Sequence, residues 1–534
     1  MKVQDKYNSL LNEKLKKTLF DTSSNLCQAL SEKFDISTQN ARQVIKRAVA
    51  TKAIKSSAPY TFGKNQYIYI YNKHELLIDN IKEICKISRP PIYRLLDLID
   101  LNNGIVSYYE GLKITSSPVE ESTTKVSTLQ DILNLLFKLN ILYTKRDQND
   151  VVYIIYKVEG KELNSVEEFN LMAEHFNKMV SDCSIIPDIL RWLVNTNIIT
   201  SQNVIYRNKK TPSVGAAHNN LVWDAFGYTK ATGINPVLGA KVETEDKKTL
   251  VVLDVLLSNT YTKTHLDAFV GRIQINRNSV TGDKRKTLPI IIYSDCSEHT
   301  LNTIKKLGII CFDISAIFGK NIFEILQKSK QLSLTFSHTE NLNLEIENIL
   351  NLMVKAGQDE ALKELKGTLF EFLMYPLISS LYPAATISRG KVLSSLNENG
   401  EKESYEYDYI INSSFPPEIV IIELKGYHSN ATIPLGDSNT KSSLKWFFRR
   451  TQPFAAKRFE AEINQGQSLK AVYITSANFW EDGKKFIQSL NKSKLKSVVL
   501  DTGYDRESLL ELLRLRGFDK EKMIIERFYK KDYD

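Results

Sequence analysis

The sequence reads as a multidomain α/β chain, with α+β modules in its N-terminal third and then two α/β units, the C-terminal one built on a mixed sheet flanked by helices. Three observations lead there. Its 534 residues are three to four domains' worth of chain. From about residue 220 onward, apolar β-branched runs of strand length alternate with stretches of helical spacing. The N-terminal third instead places three helical stretches before a hairpin.

Residues 5–20 have apolar side chains at i, i+3, i+4 spacing and predict a helix. Thr22, Ser23 and Ser24 cap a second helix that runs to Phe34. After a turn at Asp35-Ile36-Ser37, a third helix begins at Thr38. Its Val44, Ile45, Ala48 and Val49 face inward. Gln39, Asn40, Arg42, Gln43, Lys46 and Arg47 face outward, a donor-rich surface suited to base edges and phosphates. A hairpin from Ile54 to Tyr71 follows, turning at Phe62-Gly63-Lys64-Asn65. Three helices and a hairpin resemble a winged helix, and the resemblance implies a DNA-binding domain over residues 1–80, although winged helices also dock proteins. Residues 81–160 repeat the plan loosely. Helices are predicted from Pro91 to Leu101 and from Thr128 to Leu142, and a second hairpin from Tyr143 to Val158 turns at residues 147–150. The outer face here is less basic, which suits a spacer or dimer module. Thr115 to Ser127, rich in Ser, Thr and Glu, predicts a loose linker.

Residues 161–345 predict a central α/β domain. A helix is expected from Asn219 to Thr229, a strand from Thr249 to Leu257 and a helix from Thr264 to Ile275. Strands at residues 288–294 and 307–313 flank a helix from Thr300 to Lys306. His265 and Asp267 open a helix, where such residues are ordinarily caps.

Residues 346–534 hold the most informative stretch, YEYDYIINSSFPPEIVIIELKGY from Tyr405 to Tyr427. Two apolar runs flank a Ser-Ser-Phe-Pro-Pro turn, which predicts a hairpin. Folding about Phe415/Pro416 puts Asp408 opposite Glu423, with Lys425 two residues beyond Glu423. The run from Glu418 to Ile422 is apolar on both faces, as in a central strand. Two carboxylates and an ammonium at one end of such a ribbon suit a Mg²⁺ ion, which takes one or two carboxylates and keeps room for water and a phosphate oxygen. A neighbouring lysine can orient an attacking water or stabilise phosphate charge.

Asp408…Glu423-Leu424-Lys425 resembles the PD-(D/E)xK signature of restriction-endonuclease-like nucleases, with Tyr407 in place of the motif's proline. The resemblance spans residue 356 to the C-terminus and implies that Asp408 and Glu423, with the carbonyl of Leu424, hold the metal. It also implies an orienting or metal-binding Glu on the first core helix. Glu371 matches that position, within a helix predicted from Asp359 to Leu381 and kinked at Pro376, one turn after Glu371. The central domain resembles the same core a second time, with Asp224 on its first helix and Asp254 at the acidic position. Leu256 stands where the lysine should be, and only Lys263 could substitute from the next helix. A non-catalytic copy or an ordinary structural domain is the expectation there. Downstream, a helical stretch from Asn439 to Gly466 interleaves Lys445, Arg449 and Arg450 with Trp446, Phe447 and Phe448. That pattern suits a phosphate backbone. Strands over residues 469–476 and 496–501, around a helix from Phe479 to Leu490, complete a mixed sheet flanked by helices and resemble the tail of Mrr-like restriction endonucleases.

The formal charge of +9 is compatible with a polyanionic partner. Five cysteines, Cys27, Cys85, Cys183, Cys296 and Cys311, lack zinc-site spacing, and no Gly-rich phosphate loop of the Walker type is present. Without a signal peptide or a membrane-length apolar run, a cytoplasmic location is expected. The expected activity is metal-dependent DNA endonuclease, using Mg²⁺ or Mn²⁺, in restriction or in defence against phage and mobile elements. DNA is the expected partner, together with a homodimer mate or a second protein. The alternatives are a partner-gated nuclease subunit of a DNA-processing or transposition complex, and a DNA-binding regulator with a vestigial nuclease fold.

Overall fold

A computed structural model describes residues 3–18, 20–61, 67–73, 78–120, 128–158, 160–201, 203–229, 249–279, 286–339, 341–396, 400 and 402–530. The architecture is mixed α/β. The chain divides into two compact units, one of residues 1–175, 217–222 and 262–284, the other of residues 176–216, 223–261 and 285–534.

The first unit uses one plan twice. α1 (Val3–Lys17), β1 (Asp21–Thr22), α2 (Ser23–Phe34), α3 (Thr38–Ala50), β2 (Ile54–Ser56) and β3 (Ile68–Tyr71) place three helices beside an antiparallel sheet of order β1-β3-β2. After α4 (Ile78–Ser88), the series α5 (Pro90–Leu101), β4 (Ile105–Ser107), α6 (Tyr108–Thr115), α7 (Leu129–Lys138), β5 (Leu142–Arg146) and β6 (Val152–Tyr156) repeats that order, with a sheet β4-β6-β5. Local chemistry sets the helix starts. The side chains of Thr22 and Ser37 accept from the N–H groups of Asn25 and Asn40, and Ser107/Glu110 and Thr128/Asp131 form capping boxes. α7 ends four residues before the expected limit, because Asn140, at φ 58°, turns the chain into β5. The expected turn at residues 62–65 and residues 121–127 of the expected linker lie outside the described residues.

α8 (Ser165–Ser184) carries the chain into the second unit, where α9 (Ile186–Asn195) leads to β7 (Ile205–Tyr206). The helix expected from Asn219 to Thr229 is instead β-structure. β8 (Ala216–His218) turns through Asn219 and Asn220, both at positive φ, into β9 (Leu221–Trp223), and β10 (Ala225–Thr229) follows. Two adjacent Asn residues that tolerate the left-handed region make a hairpin turn, and the Val, Trp, Phe and Tyr beyond them favour strand. β11 (Thr249–Tyr261) comes next, and α10 (Lys263–Ser279) belongs to the first unit, where Thr264 donates to Asp97 at 2.6 Å. β12 (Thr287–Cys296), α11 (Glu298–Lys306) and β13 (Ile310–Asp313) complete a sheet of order β13-β12-β11-β10-β7. Its β10 is antiparallel to both β7 and β11, and β11, β12 and β13 are parallel.

α12 (Ile314–Phe318), α13 (Ile322–Thr335), α14 (Leu342–Lys355) and α15 (Lys363–Leu381) lead to a second five-stranded sheet. Its β14 (Thr386–Leu396), β15 (Lys402–Ser414) and β16 (Pro417–Lys425) are antiparallel in sequence. A two-residue β17 (Thr432–Ile433), α16 (Leu444–Trp446), α17 (Gln452–Arg458) and α18 (Glu460–Asn464) precede β18 (Ser468–Thr475). β19 (Asn478–Phe479), α19 (Glu481–Leu490), β20 (Gly503–Tyr504), α20 (Arg506–Leu515) and α21 (Asp519–Phe528) follow. The order is β14-β15-β16-β18-β20, with β18 parallel to both neighbours. In order and direction this is the plan of the first sheet.

Two expectations are corrected here. The single helix expected from Asn439 begins only at Leu444 and is interrupted by a π-helical turn over Phe447–Thr451, next to Pro453, which lacks an N–H to donate. The strand expected at residues 496–501 is irregular, and the pairing strand is β20 two residues later.

Ile419, Val420, Ile421 and Ile422 are all buried, as a central strand requires, each worth about 1.5–3 kcal/mol of apolar burial. Val420, Ile422 and Leu424 pack towards α15, α20 and α21, and Ile419 and Ile421 pack with Phe447, Phe454 and Ile487 on the other face.

Candidate active site

The β15–β16 ladder runs from Ser414↔Pro417 to Tyr409↔Ile422 and stops. The next pair in register is Asp408 with Glu423, so both carboxylates sit where the strands part. Tyr405 and Tyr407 pack in one core, yet Tyr409 and Ile411 pack in the opposite one. Residues two apart on a regular strand share a face, so β15 changes face at Asp408. The backbone left unpaired there is satisfied by a side chain: Leu424 N–H donates to Asp408 Oδ2 at 2.6 Å.

Packing fixes the other groups. Tyr409 O–H donates to the Glu371 carbonyl at 3.1 Å and ties α15 to β15, and Glu371 is buried. Tyr407 O–H donates to the Thr451 carbonyl at 2.6 Å. The Lys425 carbonyl accepts from Thr475 Oγ1 at 2.8 Å and from Ser476 N–H at 3.1 Å. Gly426 follows because a Cβ there would lie 2.6 Å from Phe370 Cβ. Glu423 and Lys425 pair at 2.5 Å.

Sequence reading missed four partners. Glu406, two residues before Asp408, is the one with a local signal. Lys210 Nζ lies 2.9 Å from Asp408 Oδ1 and 2.6 Å from Glu406 Oε1. Lys209 Nζ donates to Glu371 Oε1 at 2.9 Å and to Thr368 Oγ1 at 2.7 Å. Arg389 Nη2 reaches Glu371 Oε2 at 3.5 Å, and its guanidinium carbon lies 4.0 Å over the Phe372 ring. The two lysines stand about 200 positions from Asp408 in sequence, where no spacing rule connects them.

Burial pushes the Asp408 carboxyl upward, but Lys210, Lys425 and the Leu424 N–H outweigh it and hold Asp408 below the usual carboxylate range. For Glu423 burial wins over Lys425, and its carboxyl is raised. Glu406 is pushed up to about 8, burial exceeding the pull of a Lys210 that Asp408 also claims. Burial opposes the charge on Lys425, yet Glu423 and Asp408 more than offset it and keep the group an ammonium. Burial, and no shortage of cations, is what raises Glu423 and Glu406. Glu406 Oε1 is in addition a buried acceptor with an ion-pair contact but no directed hydrogen bond. Oxygen donors, a cation already seated on Asp408 and an acceptor short of a donor together fit a hard divalent ion.

The corresponding place in the first sheet is built alike. Its β10–β11 ladder ends at Ala225↔Leu253, so Asp224 and Asp254 are the next pair, and Val255 N–H donates to Asp224 Oδ2 at 2.8 Å. Asp224 is thus on the strand side, opposite Asp254, and not on a first helix as expected. Arg207 pairs with Asp224 at 3.1 Å, and Tyr261 O–H donates to Asp254 at 2.7 Å. Leu256 occupies the place of Lys425. Lys263 is paired with Asp267 at 2.7 Å.

Asp359, Glu360 and His428 form a group with ligand atoms within 4.8 Å of one another. Asp359 is paired with Lys366 at 2.7 Å, and Glu360 lies 2.7 Å from Lys363 and 2.9 Å from His428, so both carboxylates are already engaged by side chains.

On α3, Gln39, Asn40, Arg42, Gln43, Lys46 and Arg47 are all exposed. Arg449 and Arg450 are exposed and Lys445 is half-buried, with Arg450 4.7 Å over the Trp446 ring. Phe447 and Phe448 belong to the core, so they are not open for stacking. Among the described residues no helix is long and apolar enough to cross a membrane. No protein-family model, curated protein or solved structure matches this chain.

Proposed function

We propose that this chain is a metal-dependent endonuclease that hydrolyses DNA phosphodiesters, with Asp408, Glu423, Lys425 and Glu371 as its site. One observation carries the reading: where β15 and β16 part, Asp408 and Glu423 come into register beside Lys425, and Asp408 already holds a cation. Asp408 and Glu423, with the Leu424 carbonyl, would hold Mg²⁺, or Mn²⁺ in its place. When bound, such an ion supplies Lewis-acid polarisation of a phosphoryl oxygen and lowers the pKa of a water.

The chain's own groups do the rest. Lys425, an ammonium held by Glu423, donates to the hydrolytic water or to a phosphoryl oxygen and fixes the line of attack. Glu371 orients a further water from α15. The exposed face of α3 supplies donors for DNA, in the manner of a winged helix, and Arg449 and Arg450 supply phosphate contacts. A cytoplasmic role in restriction or in defence against phage and mobile elements suits one module that finds DNA and another that cuts it.

The test is cleavage of supercoiled plasmid by the full-length protein with and without Mg²⁺ or Mn²⁺, beside Lys425→Ala. Metal-dependent nicking or linearisation, lost in the variant while DNA is still bound, supports the reading. Binding without cleavage in either protein overturns it in favour of a DNA-binding regulator.

A further inference from the structure

The segment after β7 bears three successive cationic side chains at alternate destinations. Arg207 is buried on Asp224, Lys209 reaches Glu371, and Lys210 reaches Asp408 and Glu406. Two lysines adjacent in sequence thus neutralise carboxylates contributed by α15 and β15. The turn that presents them is held locally: Asn208 Oδ1 accepts from Lys210 N–H at 3.0 Å, and the Asn208 carbonyl accepts from Thr211 N–H at 3.2 Å. Upstream, β7 pairs with β10 through two residues only, and Arg207 is its anchor. With β7 held in place by Arg207, the short turn beyond it, closed by its own Asn, can move and carry Lys210 with it without breaking a ladder.

We propose that Lys210 is an intramolecular counter-ion seated in the cation position of the site, that it must withdraw for a divalent ion to load, and that Glu406 then joins Asp408 as a ligand. The inference rests on the metal-site reading above. Lys210 Nζ and a divalent ion compete for the same oxygen, Asp408 Oδ1, because Oδ2 is committed to the Leu424 N–H. Glu406 and Asp408 are two apart on β15 and both meet the one ammonium, so an ion that replaces it meets both oxygens. Loading exchanges one ammonium for one divalent cation, with no bond made or broken in the chain. Two positive charges on Asp408 and Glu406 cannot coexist at contact, so anything that draws Lys210 away, such as a DNA phosphate, favours metal, and metal favours its departure.

The test is Mn²⁺ binding by the full-length protein without DNA, read from the loss of the free-ion paramagnetic resonance signal. Lys210→Met should bind Mn²⁺ about tenfold or more tighter than wild type. Lys210→Arg should stay at or below wild-type affinity. Glu406→Gln placed on Lys210→Met should weaken binding again, and Asp408→Asn should abolish it. Should the methionine variant misfold, wild-type protein gives the second measurement: saturating Mn²⁺ should raise acetic anhydride labelling of Lys210 several-fold and leave exposed Lys441 unchanged. Asp408-dependent binding with equal affinity in wild type and Lys210→Met, or unchanged labelling of Lys210, overturns the counter-ion while the metal site stands. Absence of Asp408-dependent binding in every protein overturns the metal reading, and the counter-ion with it.

Discussion

Each unit of this protein uses one plan twice, and in each pair the copies differ in charge rather than in architecture. The two five-stranded sheets share strand order and direction, and each has an acidic pair where the ladder stops, with a backbone N–H on one carboxylate. One then has Lys425 and the other Leu256; one cation is a half-buried lysine on a turn and the other a buried arginine. In the first unit, α3 exposes Arg42, Lys46 and Arg47, whereas α7 exposes Gln130, Asp131, Asn134 and Lys138. The fold sets where groups meet, and a few side chains decide whether anything happens there.

The largest effect that would sharpen the contrast between the sheets is on cleavage. Lys425→Ala should lower the rate by about 10²–10³-fold with DNA affinity kept. Leu256→Ala should leave the rate within a factor of a few. Equal losses in both, measured on plasmid substrate, would mean the two sheets are not divided into working and silent copies.

The converse should hold for stability. Arg207 and Asp224 are both almost fully buried, so Asp224→Ala removes the carboxylate from a buried guanidinium and should cost about 3–5 kcal/mol. Asp408→Ala leaves Lys210 with Glu406 and should cost less, about 1–3 kcal/mol for the Leu424 N–H that loses its acceptor. Urea denaturation of both variants makes the comparison, and similar midpoints would break it.

How much of this was legible beforehand follows the same division. The β15–β16 hairpin, its register and the meeting of Asp408 with Glu423 were readable because a hairpin's register follows from its turn. The helix expected from Asn219 failed because periodicity over a short mixed run does not separate helix from strand, whereas the Asn219-Asn220 pair is itself a turn signal. Lys209 and Lys210 were beyond reach. They meet Glu371 and Asp408 only after two sheets have formed and packed, and nothing local in Asn208-Lys209-Lys210-Thr211 announces it.

Two carboxyls of the second unit should tilt stability in opposite directions with pH. Asp188 on α9 accepts from the N–H groups of Glu364 and Leu365 at the start of α15, yet burial outweighs Arg191 and pushes its carboxyl up to about 6. The folded state then holds the proton more tightly, so this group's contribution is lost as pH rises from about 4 to about 6, by roughly 2–3 kcal/mol. Asp408 has the opposite sign: its folded pKa is depressed, so its contribution is present above the ordinary aspartate range and is lost as pH falls. Asp188→Asn should therefore flatten the fall in thermal midpoint between pH 4 and 6, and an unchanged profile would remove Asp188 from the account.

The smallest expected effect concerns the helical modules, and salt reveals it better than affinity alone. If α3 is the face that meets DNA, Arg42→Ala with Arg47→Ala removes two phosphate partners, and the slope of log affinity against log salt should fall by about 1.8. At low salt the loss of affinity should be largest, and near physiological salt it should shrink to about 1–2 kcal/mol. Gln130→Ala with Lys138→Ala on α7 should change the slope by at most the one charge removed, about 0.9. Both pairs are on exposed helix faces whose buried sides are untouched, so folding should be unaffected and thermal midpoints serve as the control. A fall of the full 0.9 from the α7 pair, the share of its one charge, would make the modules equivalent toward DNA. A larger change from α7 would reverse the assignment, placing the duplex on the second module and leaving α3 as the face for a protein partner.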